Sequence, residues 1–178
     1  MNASFEPFHV VNTYGMFGSV GRVRYEVILE GTADNQIDDH TAWKEYEFKC
    51  KPGNVNRRPC VIAPFHNRID WQIWFAAMQS MDYNPWLKHL VYQLLRGKKS
   101  ALSLIAGNPF EAAPPKFIRG KLFEYRFSRG EGGERVERPD NASPFEPTSD
   151  AAWEQGAWWE RREVREYFGP ISLKDKGT

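Results

Sequence analysis

The first third of the chain has the alternating and apolar runs that are typical of β-strands. The segments FHVVNTY and RVRYEVILEG are rich in β-branched and aromatic residues, and the glycine-rich segment YGMFGSVG separates them. The later segment WKEYEFKC places Trp43, Tyr46 and Phe48 among charged residues, as in a half-exposed strand. Its alternation slips once between Trp43 and Tyr46, which leaves room for a β-bulge. Together these segments indicate a hairpin of a β-sandwich with a long connection.

The middle of the chain changes to a helical period. Asp70 is a favourable N-cap for the segment WQIWFAAMQSM, in which Trp71, Trp74, Phe75 and Met78 recur at helical spacing. Because these four side chains lie on one side of a helix, we expect this face to pack on the sandwich. We therefore predict structural roles for Asp70, Trp71 and Trp74.

Two further helices are predicted after this one. Asn84 and Pro85 are start signals for the segment WLKHLVYQLLRG, and Gly97 is its stop signal. Ser100 opens a shorter helix over ALSLIA, which Gly107 closes.

The last third returns to strand-like patterns. The segment PPKFIRGKLFEYRFS places Phe123, Tyr125 and Phe127 on one face of a strand. Residues 129–150 contain almost no core-forming side chains, so we predict a mobile loop there. The segment WEQGAWWERREVREYFGPISL is expected to be ordered again, because its aromatic rings need cover.

These patterns predict a single domain over residues 1–178. Its class is mainly β with a helical insertion (α+β). We expect β-sandwich-like antiparallel sheets, with two to three helices inserted around residues 70–106. A chain of 178 residues is long enough to bury a substantial core.

Composition narrows the classes of partner. With 24 basic and 23 acidic residues, the chain has no strong electrostatic field, which argues against nucleic acid as its main partner. Seven Trp residues and an aromatic content of 15% imply either a thick core or an interface. No apolar run approaches the roughly 20 residues of a membrane span, and the N-terminal residues lack a signal-peptide pattern. The residues alone would therefore indicate a cytosolic protein.

His66 and Asp70 are the first candidates for a catalytic or metal-binding pair. The three residues between them are one fewer than in the acyltransferase signature, and nothing places another His beside them. We therefore interpret Asp70 as a helix cap and Arg68 as a structural residue that pairs with a carboxylate or with carbonyl groups. Nucleophile-elbow, P-loop and dinucleotide-binding patterns are absent from the sequence, so we expect no catalytic residue, no metal and no cofactor.

Two features raise the question of a secretory compartment. Cys50 and Cys60, the only cysteines, flank a loop between predicted strands, and their spacing leaves a disulfide and two unpaired thiols equally open. The sequence NAS makes Asn2 and Asn141 glycosylation candidates, although Pro144 disfavours the second.

Several unusual strings occur in order along the chain. They are VNTYGMFGSVGRVRYEVILEGT, KEYEFKCKPGNVNRRPC, RIDWQIWFAA, PPKFIRGKLFEYRFS and YFGPISL. Together they resemble the C-terminal domain of the lipase maturation factor family, over nearly the whole chain except residues 129–156. The pair Cys50 and Cys60 resembles the first of the family's two paralogues.

The resemblance implies a function. Members of the family are multi-pass proteins of the endoplasmic reticulum membrane, needed for lipoprotein, hepatic and endothelial lipase to fold and assemble into active homodimers. The chain would then be a domain of a longer protein. In the oxidising lumen, a disulfide between Cys50 and Cys60 is expected. The family brings no catalytic residues to carry over.

We expect exposed aromatic and apolar side chains to contact the partner lipase. The candidates are Trp153, Trp158, Trp159 and Phe168 near the C-terminus, and Tyr14, Met16 and Phe17 on the glycine-rich segment. One alternative is a glycan- or small-ligand-binding β-sandwich module. Another is a redox enzyme that uses Cys50 and Cys60, which the nine intervening residues disfavour.

Overall fold

The computed structural model describes residues 23–61, 66–128 and 158–175. Its strands are β1 (Arg24–Thr32), β2 (Lys44–Glu45), β3 (Glu47–Phe48), β4 (Ile105–Gly107), β5 (Phe117–Phe127) and β6 (Trp159–Ser172). Its α-helices are α1 (Arg68–Ala77), α2 (Pro85–Leu95) and α3 (Lys99–Leu102), and short 3-10 turns cover Met81–Tyr83 and Leu173–Asp175. The loop predicted at residues 129–150 lies outside the described residues.

The larger sheet is antiparallel and has the strand order β2-β1-β5-β6. Its centre is the pair β1 and β5, whose nine consecutive residue pairs run from Arg24 opposite Tyr125 to Thr32 opposite Phe117. The strands β3 and β4 form a separate two-stranded sheet, and the three α-helices lie between them in sequence. The prediction of antiparallel sheets with inserted helices is confirmed. None of the described helices has the length and apolar character needed to cross a bilayer.

Alternation along β1 sends its side chains to two environments. Val27 and Leu29 lie in the main core together with side chains of all three helices, and we call this side of the sheet the helix face. Ile28 lies in a smaller cluster with Phe123 and Tyr125 on the opposite side. We call that side the polar face, because it also carries a series of ion pairs.

The segment WKEYEFKC crosses from one sheet to the other at Tyr46, since β2 pairs with β1 and β3 pairs with β4. Tyr46 and Phe48 are buried in the main core. The ring of Trp43 instead lies under the guanidinium group of Arg119, with 3.9 Å between the guanidinium carbon and the ring centroid. The slip in the alternation therefore has a physical cause, because Trp43 belongs to the polar face and Tyr46 to the core.

Helix α1 begins at Arg68 instead of Trp71. Its N-cap position is Asn67, and Asp70 lies within the first turn, so the prediction that Asp70 caps the helix is wrong. The Asp70 carboxylate is buried and accepts two backbone N–H groups from a loop distant in sequence. A tertiary contact thus uses a side chain that the local pattern assigned to capping.

The face of α1 that enters the core also differs from the prediction. Ala76 and Ala77 are buried, together with one isoleucine of the helix. Trp71 is 37% exposed and Met78 is 54% exposed. The helix approaches the sheet so closely that the Tyr167 hydroxyl donates a 2.7 Å hydrogen bond to the Ala76 carbonyl oxygen. Large rings do not fit in this contact, so they lie on the other side of the helix.

Helix α2 follows the sequence pattern. Its buried stripe consists of Leu87, Leu90, Val91, Leu94 and Leu95. Gly97, with a φ of 61°, adopts the left-handed conformation that ends such helices. Helix α3 is shorter than predicted, because Ile105 and Gly107 pair with β3 and form β4.

Candidate functional site

Residues 50–60 form a loop on the polar face, and we call it the disulfide loop. The sulfur atoms of Cys50 and Cys60 are bonded, and their Cα atoms lie 5.4 Å apart. The ends of the loop are therefore joined. Contacts with β3, α1, β5 and β6 fix its remaining conformation.

Arg57 holds the first part of the loop. Its guanidinium group donates hydrogen bonds to the carbonyl oxygens of Phe48 and Lys51. It also lies 3.2 Å from the Glu47 carboxylate. The planar fork of N–H donors in Arg is suited to bridging several acceptors at once. The surrounding string NRRP gives no signal of this role, because its composition is that of a solvated loop tip.

The Asp70 carboxylate connects the disulfide loop to α1. Its Oδ1 atom accepts the backbone N–H groups of Cys50 and Lys51 at 2.7 and 2.8 Å. A carboxylate in the first turn of a helix is also stabilised by the positive end of the helix dipole. The side chain therefore connects α1 to Cys50 and Lys51, which precede Asp70 by 20 and 19 residues.

Lys51, the second residue of the disulfide loop, is a buried cation. Its ammonium group donates to the Pro52 carbonyl oxygen at 3.0 Å and lies 3.5 Å from the Glu26 carboxylate. Burial lowers the pKa of Lys51, and the charge of Glu26 opposes this effect. Arg24 also pairs with Glu26, so this carboxylate is shared by two cations. The cluster joins the beginning of β1 to the disulfide loop.

Aromatic residues of β5 and β6 support the loop from the sheet. The Tyr125 hydroxyl donates to the Gly53 carbonyl oxygen at 2.8 Å, and the Trp159 indole N–H donates to a further loop carbonyl at 3.0 Å. The backbone N–H groups of Trp158 and Trp159 both donate to the Val55 carbonyl oxygen. Burial raises the pKa of Tyr125 to about 12, so its hydroxyl keeps its proton well into the alkaline range.

The structure describes three of the residues predicted to contact a partner. Trp159 is only 8% exposed, and Trp158 and Phe168 are half-buried. The Phe168 ring packs against the backbone of Gly120. These rings support the sheet and the loop, so the strong exposure expected of them is not found. The candidates outside the described residues are Tyr14, Met16, Phe17 and Trp153, together with the glycosylation candidates Asn2 and Asn141.

Apolar side chains that are half-buried or exposed occur on α1 and on the turn that follows it. The rings of Trp71, Trp74 and Phe75 contact one another, with centroid distances of 5.3, 5.6 and 5.5 Å. Met78 and Tyr83 are 54% and 78% exposed. We call these five residues the α1 surface. The sequence pattern assigned most of them to the core, because it cannot show how closely α1 approaches the sheet.

His66 and Asp70 lie in different surroundings and do not form a pair. His66 is exposed, and its ring centroid lies 5.6 Å from that of Trp71, whereas Asp70 is buried against the disulfide loop. Arg68 is exposed at the first position of α1, and its predicted structural role stays a prediction. Within residues 23–61, 66–128 and 158–175, no three His, Cys, Asp or Glu side chains are grouped to hold a metal ion.

A cleft lies beside the disulfide loop on the polar face, and we call it the polar cleft. Its volume is about 250 Å³, and it is lined by Glu45, Glu47, Asn54, Val55 and Arg161. The sequence did not indicate this site, because Arg161 lies 116 residues from Glu45 along the chain.

The fold and these sites define a β-rich domain in which a disulfide-bridged loop is fixed across a sheet and a helix presents aromatic rings. The family profile described as "Lipase maturation factor C-terminal domain" matches residues 10–169. The chain is 47% identical over 177 residues to lipase maturation factor 1 of Bos taurus and 44% identical to that of Homo sapiens. It is 35% identical over 181 residues to lipase maturation factor 2 of Gallus gallus. The chain therefore belongs to the lipase maturation factor family and corresponds to its C-terminal domain.

These alignments cover most of the chain and a small part of each relative. They include 98% of this chain, but only 28% of the two lipase maturation factor 1 sequences and 22% of the lipase maturation factor 2 sequence. The chain thus spans about a quarter of the length of the relatives it matches. No solved structure matches it.

Proposed function

We propose that the chain acts as a non-catalytic maturation domain for secreted lipases in the endoplasmic reticulum. The proposal is carried by the family match over residues 10–169, together with 44–47% identity to relatives named lipase maturation factor 1. Because the chain spans 28% of those relatives, the assignment of this activity to the chain itself is our step.

The proposed partners are the dimeric secreted lipases, namely lipoprotein, hepatic and endothelial lipase. The domain would bind a folding lipase chain until the contacts of its homodimer have formed. Binding of one folding state raises its population by mass action, so a moderate affinity is sufficient. The proposed location is the lumenal side of the membrane. The Cys50–Cys60 bond supports it, because disulfides persist in oxidising compartments.

The α1 surface is the contact that we propose for the folding lipase. Exposed apolar side chains on an ordered element bind apolar segments that a folding chain has not yet buried. Helix α1 offers a fixed base for such binding, since Asp70 connects it to the disulfide loop and Tyr167 bonds to its Ala76 carbonyl. The other contact candidates from the sequence remain secondary proposals, apart from the buried Trp159: Tyr14, Met16, Phe17, Trp153, Trp158 and Phe168.

The test is direct binding of the chain to a refolding dimeric lipase. The native lipase dimer and an unrelated secreted protein during refolding serve as comparisons. Selective capture of the refolding lipase supports the proposal. Equal capture of all three proteins, or no binding at micromolar concentrations, contradicts it.

A further inference from the structure

The polar cleft combines side chains from β2, β3, the disulfide loop and β6. Glu45 and Glu47 alternate with Tyr46, which is buried in the core, so both carboxylates lie on the polar face. The disulfide loop contributes Asn54 and Val55. Strand β6 contributes the guanidinium group of Arg161, which also lies 3.4 Å from the Tyr125 hydroxyl that bonds to the loop.

Arg161 and Glu45 form a fixed wall of the cleft. The two terminal nitrogens of Arg161 donate to the two carboxylate oxygens of Glu45 at 2.8 and 2.6 Å. The guanidinium carbon of Arg161 also lies 4.9 Å from the ring centroid of Phe123. Such a bidentate pair over an aromatic ring restricts both side chains, so the cleft is already ordered before a ligand enters.

Glu47 is fixed in a similar way on the other wall. Its carboxylate pairs with Arg57 at 3.2 Å, and the loop carbonyl groups hold Arg57 in turn. The carboxylate packs so closely on Gly53 that an added Cβ would lie 2.9 Å from its Oε2 atom. The two carboxylates retain 28% and 31% of their side-chain exposure, so a ligand can still reach them.

The charges around the cleft favour a neutral ligand. Each carboxylate is already paired with one guanidinium group, so the two acids and two cations have no net charge. A free ion would gain little from such a balanced arrangement. A carboxylate has about four acceptor sites, and the Asn54 amide offers the donors of its NH2 group, while its Oδ1 atom accepts the Asn56 backbone N–H at 2.9 Å. Neighbouring hydroxyl groups of one ligand can use these positions together, because each hydroxyl both donates and accepts.

We propose that the polar cleft binds one unit of a neutral saccharide. Carboxylate and amide groups would hold its hydroxyl groups, and Val55 would contact the apolar face of its ring. The cleft, with a volume of about 250 Å³, is open to solvent, so one sugar ring can enter it and keep its outer hydroxyl groups in water. The proposal does not depend on the lipase function, because it rests on the cleft geometry alone.

The experiment is a titration of the chain with small sugars. Binding is monitored through the backbone amide signals of Asn54 and Val55 in nuclear magnetic resonance spectra. The probes are glucose, mannose, galactose and N-acetylglucosamine, with acetate and methylguanidinium as charged comparisons. At least one sugar should cause saturable shifts at millimolar concentration, and the charged probes should cause none. Absence of saturable shifts with all four sugars, or stronger binding of a charged probe, overturns the proposal.

Two variants connect the binding to the cleft. Glu45→Gln should weaken sugar binding about tenfold, the loss expected for one hydrogen bond to a charged group. Glu163→Gln is the matched control, because Glu163 pairs with Lys121 at 2.8 Å on the same sheet and does not line the cleft. Asn54→Ala, on the exposed part of the loop, gives the same test if Glu45→Gln lowers the stability of the fold. Equal binding by the cleft variants and the control overturns the proposal.

The source of the sugar is distinguished by a second set of probes. A released high-mannose glycan and a glycoprotein that carries it are compared with free mannose. Tighter binding of either glycan form assigns the cleft to glycoproteins, and equal binding assigns it to free sugar. Both outcomes support the saccharide chemistry, whereas a glycoprotein that binds equally well after enzymatic removal of its glycan contradicts it.

Discussion

At the scale of single residues, Gly120 shows how closely β5 and β6 are packed. A Cβ atom added to Gly120 would lie 2.4 Å from a ring carbon of Phe168, so the ring would have to move. We expect Gly120→Ala to lower the free energy of unfolding in urea by about 1–3 kcal/mol. Gly107→Ala is the matched control, because Gly107 also lies in a strand and an added Cβ has no atom within 4 Å. Equal effects of the two changes would show that the Phe168 contact is not the cause.

Because the Tyr125 hydroxyl is buried, we expect the free energy of unfolding to fall at alkaline pH. Burial raises the pKa of Tyr125 to about 12, whereas a tyrosine in an unfolded chain has a pKa of about 10. Since the unfolded state releases this proton first, the free energy of unfolding falls as pH rises from about 10 to about 12. In Tyr125→Phe this slope should be smaller by up to about 1.4 kcal/mol per pH unit, measured by urea unfolding at several pH values. Tyr83→Phe, at an exposed hydroxyl, is the control, and an unchanged slope in Tyr125→Phe would refute the prediction.

Asp70 illustrates which residue roles the sequence could reveal. Its spacing before an apolar run is that of an N-cap, and local pattern alone gives that answer. The structure instead uses its carboxylate for the N–H groups of Cys50 and Lys51. Similarly, Arg161 meets Glu45 across 116 residues of sequence. Such pairs depend on how the strands align, and single-sequence periodicity contains no information about that alignment.

At the scale of elements, the Cys50–Cys60 bond closes the disulfide loop and should contribute to the stability of the fold. The linked cysteines are 10 residues apart, and closure of a loop of this length contributes about 3 kcal/mol in the chain-entropy account. We expect the double variant Cys50→Ser, Cys60→Ser to lose about this much free energy of unfolding, measured in urea without reductant. Wild-type chain in reductant should match the variant. If neither differs from the oxidised chain, Arg57 and Asp70 hold the loop without the bond.

The two longer helices show why some elements were predictable and others only in part. Helix α2 has one continuous apolar stripe, so its buried side follows directly from its sequence. Helix α1 has apolar residues on two sides, and both sides satisfy the helical period. The choice between them depends on the close approach of Ala76 to Tyr167, which leaves no room for an indole ring. Periodicity therefore located the helix, and packing decided its orientation.

At the scale of the whole molecule, the disulfide loop connects the two surfaces to which we assign binding. It contacts α1 through Asp70, and it lines the polar cleft with Asn54 and Val55. One covalently closed segment thus supports both the α1 surface and the cleft. This arrangement allows the two surfaces to be altered separately by side-chain changes, because the loop backbone that supports them stays in place.

If the α1 surface contacts the folding lipase, changes to its exposed side chains should weaken lipase capture by the whole domain. The paired change Met78→Ser, Tyr83→Ser should weaken capture of a refolding dimeric lipase about tenfold, because it removes the two most exposed apolar side chains of the proposed interface. The control is Ile37→Ser, Leu104→Ser, since Ile37 and Leu104 are 43% and 41% exposed and lie elsewhere on the surface. Capture is measured by surface binding of the refolding lipase, and urea unfolding verifies that both variants keep their stability. A control pair that weakens capture as much as the α1 pair would mean that any exposed apolar residue contributes. Full capture by both pairs would exclude the α1 surface as the contact for the folding lipase.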